Sequence, residues 1–492
     1  MIRRFFKNAG ILIILELILK LKGLIIIPLL TRHFGTLDYG AWSQVLVLVN
    51  TVSPLIILGT DSGFIRHTSG KSLEEQKSSL SAWILFLLGT AVVVCVLLIG
   101  LRGGIARAFF NDTSYTLFIP LACASMCFTM LLNCTKNWFK IHNNAKMYSK
   151  IFIYQALLNL AAVIVTLVGE KGVYELVVYT IVADSIVVLW FFVVIWHNYG
   201  WGSPDFSVLK PFLKFGLPLV PSGYAMWGLN SMDRIFLVHY GTLSDIGVYS
   251  LSYTLGYLII QIFVNPVWTM YPNNAAELYN QGKTDELQML FSYSMKIILV
   301  LCLPALVGLF VLGEPIISFF ATEEFLAGAP LMAIITLGYL FLMLGSYYDT
   351  SVGLVFKQYY STLSLGLACG VNLVLNLLLI PRYLILGAAV ATCLSFLFHL
   401  AFIYWMARRH LWLKLGVLFP LKITGISLVL GVFLYMVKER MNDFGIVSLA
   451  LLIFAGMVVY GILLFVFRVV TLDFIGQVKD MMMPRLKRST DD

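Results

Sequence analysis

Charge is scarce in this sequence: Asp, Glu, Lys and Arg make up 12% of its 492 residues, against 60% hydrophobic. Soluble domains carry about 25% charged residues, so this composition excludes a water-soluble fold and points to a polytopic membrane protein. Long polar stretches are also missing. The longest, residues 61–79 and 481–492, are too short to bury a core of their own. Catalytic signatures are absent as well: there is no Walker loop, no GxSxG, no HExxH and no extended loop holding paired acids. Phosphate-driven pumping and enzymatic turnover are therefore not expected. Cys95, Cys123, Cys127, Cys134, Cys302, Cys369 and Cys393 lie in or at the ends of apolar segments, and all read as small buried hydrophobes. Cys123 and Cys127 share a helix face but have no nearby His or carboxylate to complete a metal site, so no metal or cofactor is expected. Met1-Ile2-Arg3-Arg4 opens like a signal peptide, but the following apolar run contains charges and no small-residue cleavage site. The first helix is expected to stay.

What charge there is has a direction. The net charge is +9, and most of the 34 Lys and Arg fall in one set of alternating loops and in the termini. That asymmetry fixes a cytoplasmic side and contacts anionic lipid headgroups, so it argues against nucleic acid as a partner. Windows of about 20 apolar residues predict about fourteen transmembrane helices. They cover residues 9–30, 40–60, 82–101, 118–134, 148–168 and 173–196, then 212–238, 247–270, 291–312, 328–348, 361–380 and 384–406, and last 418–437 and 445–467. An even number puts both basic termini in the cytoplasm.

A repeat organises these spans. His33-Phe34-Gly35-Thr36-Leu37 is nearly copied by His239-Tyr240-Gly241-Thr242-Leu243, and after one inserted residue Gly40, Trp42 and Ser43 echo as Gly247, Tyr249 and Ser250. A fainter echo pairs Leu158-Asn159-Leu160 with Val371-Asn372-Leu373. Six spans separate the copies, so the two halves share one orientation, and doubled membrane bundles are above all transporters. The expected architecture is all-α: residues 1–200 as one six-helix lobe, 201–410 as a second, and 411–492 as two further helices with a cytoplasmic tail. The loop from His197 to Pro211 is the natural joint.

Buried charge supplies the candidate site. Glu16, Lys20 and Lys22 interrupt the first span, and Lys20 lies roughly 14 Å from either end at the helical rise. Its stem cannot snorkel that far, and such a charge costs about 2.5–3.5 kcal/mol on insertion scales. Either Glu16 and Lys20 neutralise each other at i, i+4, or Lys20 walls a wet cationic cavity. Lys22 lies about 200° around the helix from Lys20, so the two diverge unless Gly23 breaks the helix. The seventh span carries Asn230, Asp233 and Arg234 on one face, either as a self-neutralising group or as a functional one, with Arg234 a turn from the outer end where its stem can reach water. Asp184 sits mid-span with no basic residue within a turn, so it is either protonated or a proton or cation site. Asp184 ranks first for ion coupling, ahead of Glu16, with Asp233 a further candidate. Arg66 and Lys296 sit near cytoplasmic ends, where topology explains them, although Arg66 also fits a cationic wall.

The amides Asn50, Gln155, Asn159, Gln261, Asn265, Asn372 and Asn376 fall in helix interiors, where interhelical hydrogen bonds explain them and sugar hydroxyls would use the same groups. Tyr347, Tyr348, Trp138, Trp196 and Trp201 fall near span ends and read as interfacial belt residues. Pro28, Pro218, Pro221, Pro266 and Pro304 predict broken or kinked helices.

Two stretches carry a family likeness. Ser231-Met232-Asp233-Arg234-Ile235-Phe236-Leu237, with Tyr240-Gly241 and Ile246-Gly247-Val248-Tyr249-Ser250, resembles the polysaccharide transport family of the MOP exporter superfamily. The run from Leu29 through Thr31-Arg32-His33-Phe34-Gly35 and Asp38-Tyr39-Gly40 to Ser43 is similar to that family's signature between its first two helices. The resemblance implies a MATE-like fold and a flippase of the Wzx type. Such a protein carries a polyprenyl-pyrophosphate-linked oligosaccharide from the inner to the outer leaflet by alternating access, for O-antigen or another surface polysaccharide of a cell with an inner membrane. It implies a cationic cavity, for which Lys20, Lys22, Arg66 and Arg234 are the positions here, with Asp184, Glu16 and Asp233 for a coupling H+ or Na+. Membrane lipids and other polysaccharide assembly proteins are the implied company, and the last two helices would hold the lipid tail. The alternative is a cation-coupled multidrug or small-molecule exporter of the same superfamily. A membrane-bound sugar polymerase would need a large outer loop, and every outer loop here is short.

Overall fold

A computed structural model describes residues 2–441 and 445–469, with side chains from residue 23 onward except that of Pro266. Among the described residues the secondary structure is entirely helical. That follows from burial in lipid, where every backbone N–H and C=O must find its partner within its own segment. Among the described residues, eleven helices are long and apolar enough to cross a membrane. Two of these are each a pair of spans merged across one non-helical residue: α1 (Ile2–Ile57) breaks at Gly35, φ 66°, and α14 (Tyr359–His410) breaks at Leu384, φ 45°. A further helix, α9 (Val220–Tyr240), matches the seventh predicted span and is diluted by Asn230, Asp233 and Arg234. Eleven, two and one make the fourteen expected from the sequence.

The remaining helices, in chain order, are α2 (Thr60–Thr68), α3 (Leu73–Gly100), α4 (Arg102–Phe110), α5 (Phe118–Ile141), α6 (Ala145–Val168), α7 (Val173–Tyr199) and α8 (Leu209–Gly216). After α9 come α10 (Leu243–Trp268), α11 (Tyr271–Asn280), α12 (Thr284–Phe320), α13 (Ala329–Leu354), α15 (Leu418–Lys438) and α16 (Ile446–Val466). Prolines act unevenly. Pro218 and Pro221 mark the break at which α8 passes through a 3-10 turn (Leu217–Leu219) into α9, whereas Pro28 and Pro304 lie inside helices that continue past them. Gly23 does not break α1 either.

The chain divides into two compact units. The first runs to Leu251 and adds Phe320–Phe325 and Ala368–Thr392; the second holds Ser252–Phe319, Leu326–Leu367 and the chain from Cys393 onward. In the first unit the outer face of α3 exposes Val92, Val93, Val96 and Leu97, as expected of a surface solvated by acyl chains. In the second unit α15 and α16 dock on α12 through Leu312, Ile426, Leu430, Leu452 and Tyr460. The Tyr460 hydroxyl donates to the Val300 carbonyl at 2.9 Å, which gives this buried phenol its partner.

Three aromatic assignments need correction. Tyr347 and Tyr348 are buried rather than interfacial: Tyr347 packs on Tyr271 at 4.3 Å, and Tyr348 on Phe291 at 5.2 Å and Tyr404 at 5.3 Å. Trp138 is likewise enclosed, against His142 and Tyr199. Each lies near a helix end, but its ring turns onto a neighbouring helix. Trp196 and Trp201 are exposed, as belt residues would be.

Candidate functional site

Within the first unit the two copies of the repeat meet each other. Gly40 lies on the stretch of α1 after the Gly35 break, and Gly247 is its equivalent on α10. A Cβ on Gly40 would stand 1.9 Å from the Leu243 carbonyl oxygen, and one on Gly247 would stand 2.0 Å from the Thr36 oxygen. Only hydrogen fits at either position. One turn further along, Ser43 Oγ donates to Ser250 Oγ at 2.7 Å, both buried.

This joint shelters an ion pair. Asp233 Oδ1 and Arg234 Nη1 are 3.3 Å apart, with the residues 1% and 7% exposed. Arg234 also donates from Nη1 to the Asn230 carbonyl at 2.7 Å and from Nε to Ser250 Oγ at 3.3 Å, and its guanidinium stands 5.3 Å from the Tyr249 ring centroid. The Tyr249 hydroxyl donates to Asp233 Oδ2, and Gln44 Nε2 donates to the Arg234 carbonyl at 3.4 Å. The Arg234 stem therefore does not run out to water. Its charge is met by a carboxylate, a carbonyl, a hydroxyl and a ring, the dense satisfaction a buried pair needs to offset desolvation. Gln44 is fully buried, and in the sequence one polar residue in an apolar run gives no sign of a partner 190 positions away.

A second polar group spans α5, α6 and α7. Gln155 Nε2 donates to Asp184 Oδ1 at 3.0 Å, Asn159 Nδ2 donates to the same oxygen at 3.4 Å, and Lys136 Nζ donates to Gln155 Oε1 at 3.4 Å. Lys136 also sits 4.3 Å from the Phe152 ring centroid. Asp184 is thus not solitary: Gln155 relays it to a lysine distant in sequence. Asn159 and Gln155 make the interhelical bonds expected of such amides, whereas Asn376 bonds Asn372 on its own helix, 2.9 Å away, and Asn50 is exposed.

The other candidates lie apart from these groups. Arg66 is exposed on α2, its guanidinium 4.9 Å from the Phe215 ring centroid. The side chains of Glu16, Lys20 and Lys22 lie outside the described residues. In the second unit, a buried histidine absent from the sequence reading, His399, stands 3.3 Å from Asp349 and 2.8 Å from the Ser364 hydroxyl. Among the described residues no cluster of three or more His, Cys, Asp or Glu has the geometry for a metal ion.

This architecture has known counterparts. The solved structure of the lipid II flippase MurJ in an inward closed conformation superposes with a TM-score of 0.79 at 17% identity, covering 92% of this chain and 98% of that one. An inward-facing multidrug-resistance MATE transporter of the MOP superfamily superposes at 0.65 and 14% identity, covering 80% and 94%. These likenesses show that the chain shares the fold of these two transporters. In sequence, the chain is 24% identical over 333 residues to the Lsg locus putative protein 1 of Haemophilus influenzae, over 65% of this chain and 78% of that protein. Residues 29–330, more than half of the chain, match the family described as Polysaccharide biosynthesis protein. With the doubled helical architecture and the repeat motifs lying inside that match, the chain belongs to the polysaccharide biosynthesis protein family.

Proposed function

We propose that this protein is a flippase for a lipid-linked oligosaccharide, carrying a polyprenyl-pyrophosphate glycan from the inner to the outer leaflet of the cytoplasmic membrane for surface polysaccharide assembly, with both termini cytoplasmic. The observation that carries this reading is the superposition on a lipid II flippase over nearly the whole of both chains, together with the family match. The physical task suits the fold. A sugar-pyrophosphate headgroup cannot cross about 30 Å of hydrocarbon unaided, and a wet cleft open to lipid shelters it while the polyprenyl chain stays in the bilayer. Lys20, Lys22 and Arg66 are the cations we assign to the pyrophosphate. Arg234, held by Asp233 and Ser250, we assign to the joint between repeats instead.

The test is mass spectrometry of lipid extracts from cells with and without the gene. Accumulation of a complete polyprenyl-pyrophosphate oligosaccharide in the deletion strain is the expected result and identifies the cargo. No accumulation, with surface glycan intact, refutes the flippase. It would favour a cation-coupled exporter of small molecules, the reading supported by the Asp184 group and the likeness to MATE transporters.

A further inference from the structure

The second unit contains a buried acid–base pair that the flippase reading leaves unused. His399, on the later half of α14, and Ser364, near the start of that helix, are both fully buried. Asp349, five residues before the end of α13, is 22% exposed at its side chain. Asp349 Oδ2 lies 3.3 Å from His399 Nε2, and Ser364 Oγ lies 2.8 Å from His399 Nδ1 and 3.3 Å from the His399 carbonyl oxygen. Gly345, one turn before Asp349, leaves room for the imidazole: a Cβ there would stand 2.8 Å from His399 Cδ2. The three residue types invite comparison with a hydrolase triad. With the serine and the ring both fully buried, however, no acyl substrate reaches them.

The pair has a counterpart in the first repeat. Asn159 and Asn372 are equivalent, an offset of 372 − 159 = 213 positions, and the same offset carries Lys136 to 349, which is Asp349. It carries Asp184 to 397, two residues from His399. Each repeat thus joins its fourth and sixth spans by one acid and one base, with the signs reversed. Lysine and histidine differ in what they do with a proton. Reference lysine titrates at about 10.4 and histidine at about 6.5, so the imidazole is the group suited to change charge under physiological conditions.

We propose that the Asp349–His399 pair is a proton-binding site of the second unit, with His399 Nε2 as the atom that takes the proton. In the neutral ring Nδ1–H donates to Ser364 Oγ, whose own hydroxyl donates to the His399 carbonyl, and the Nε2 lone pair lies 3.3 Å from the Asp349 carboxylate. When hydronium delivers a proton, its O–H bond breaks, an N–H bond forms at Nε2 beside Asp349, and water leaves. The pair passes from a net charge of −1 to 0. Asp349 supplies the counter-charge of the imidazolium. Asp349, the more exposed member, is the side of entry. No other charged group lies within ion-pair distance of His399 among the described residues. The further titratable groups around the pair are Tyr348 on α13 and Tyr404 on α14, which pack on each other. Arg408, Arg409 and His410 lie about two and a half turns along α14, and Lys357 follows the end of α13.

The proposal is tested on full-length protein, labelled with 15N-histidine, in liposomes between pH 5 and 8.5, by solid-state NMR and without cargo, so that the outcome is independent of what is flipped. One of the seven histidine signals should pass from neutral to imidazolium in this range and vanish in His399→Gln. Asp349→Asn should lower the midpoint of that signal by about one pH unit or more, because the compensating charge is gone. If His399→Gln does not accumulate in membranes, Ser364→Ala assigns the signal, since it keeps the ring and perturbs Nδ1 alone. A His399 signal that holds one protonation state throughout overturns the proposal, as does a midpoint unmoved by Asp349→Asn.

Discussion

Ser43 and Ser250, equivalent residues of the two repeats 207 positions apart, are hydrogen-bonded to each other at 2.7 Å. The duplication has therefore produced a self-complementary contact inside one chain, as a two-fold interface does between identical subunits. Gly40 and Gly247 make the close approach that brings these serines within reach.

This joint should respond asymmetrically to substitution. Ser250→Ala strips a partner from both Ser43 and Arg234, so it should destabilise more than Ser43→Ala, by about 1–3 kcal/mol. Gly247→Val should cost a similar amount through overpacking against Thr36, or more if the helices are forced apart. Thermal unfolding of detergent-purified variants measures both, and equal midpoints for the two serine variants would count against the shared bond.

Breaking the Asp233–Arg234 pair from one side should cost about 3–5 kcal/mol, because the survivor is left buried and uncompensated. The double variant Asp233→Asn, Arg234→Met should recover part of that loss. A double-mutant cycle on unfolding midpoints decides the matter: additive losses would mean that the two side chains act independently.

Lys20→Ala should abolish delivery of surface glycan while the protein still inserts, and Lys20→Arg should restore a measurable part. The assay is surface polysaccharide per unit of membrane-localised protein. Full activity in Lys20→Ala would instead favour the self-neutralised Glu16–Lys20 pair.

Asp184→Asn removes the charge that Gln155 relays to Lys136. If Asp184 takes part in ion coupling, export in vesicles should lose its dependence on an imposed cation gradient. Transport unchanged at every gradient removes Asp184 from coupling and leaves it a structural partner of Lys136, in which case Lys136→Gln should rescue the stability of Asp184→Asn.

The apolar spans were legible because a hydrocarbon solvent imposes length and composition on each segment separately. The repeat was legible because copying preserves residues such as Gly40 and Gly247. That the copies touch was not legible, since self-similarity reports descent and carries no distance. Asp184 looked solitary for the same reason: its basic neighbour is 48 residues earlier, on a helix that only tertiary packing brings near. Tyr347 and Tyr348 were misplaced because position along a span gives depth but not the direction a ring faces. His399 carries a usable signal of its own, a histidine inside the long apolar run of residues 384–406.

The first unit is completed by Ala368–Thr392, so its native packing cannot close until about four-fifths of the chain has left the ribosome. Until then the nascent helices wait in the bilayer, and the late segment must find a place among helices already inserted. Lesions near residues 368–392 would therefore act early in the life of the protein. They would strand a half-assembled bundle for membrane proteases before any question of transport arises.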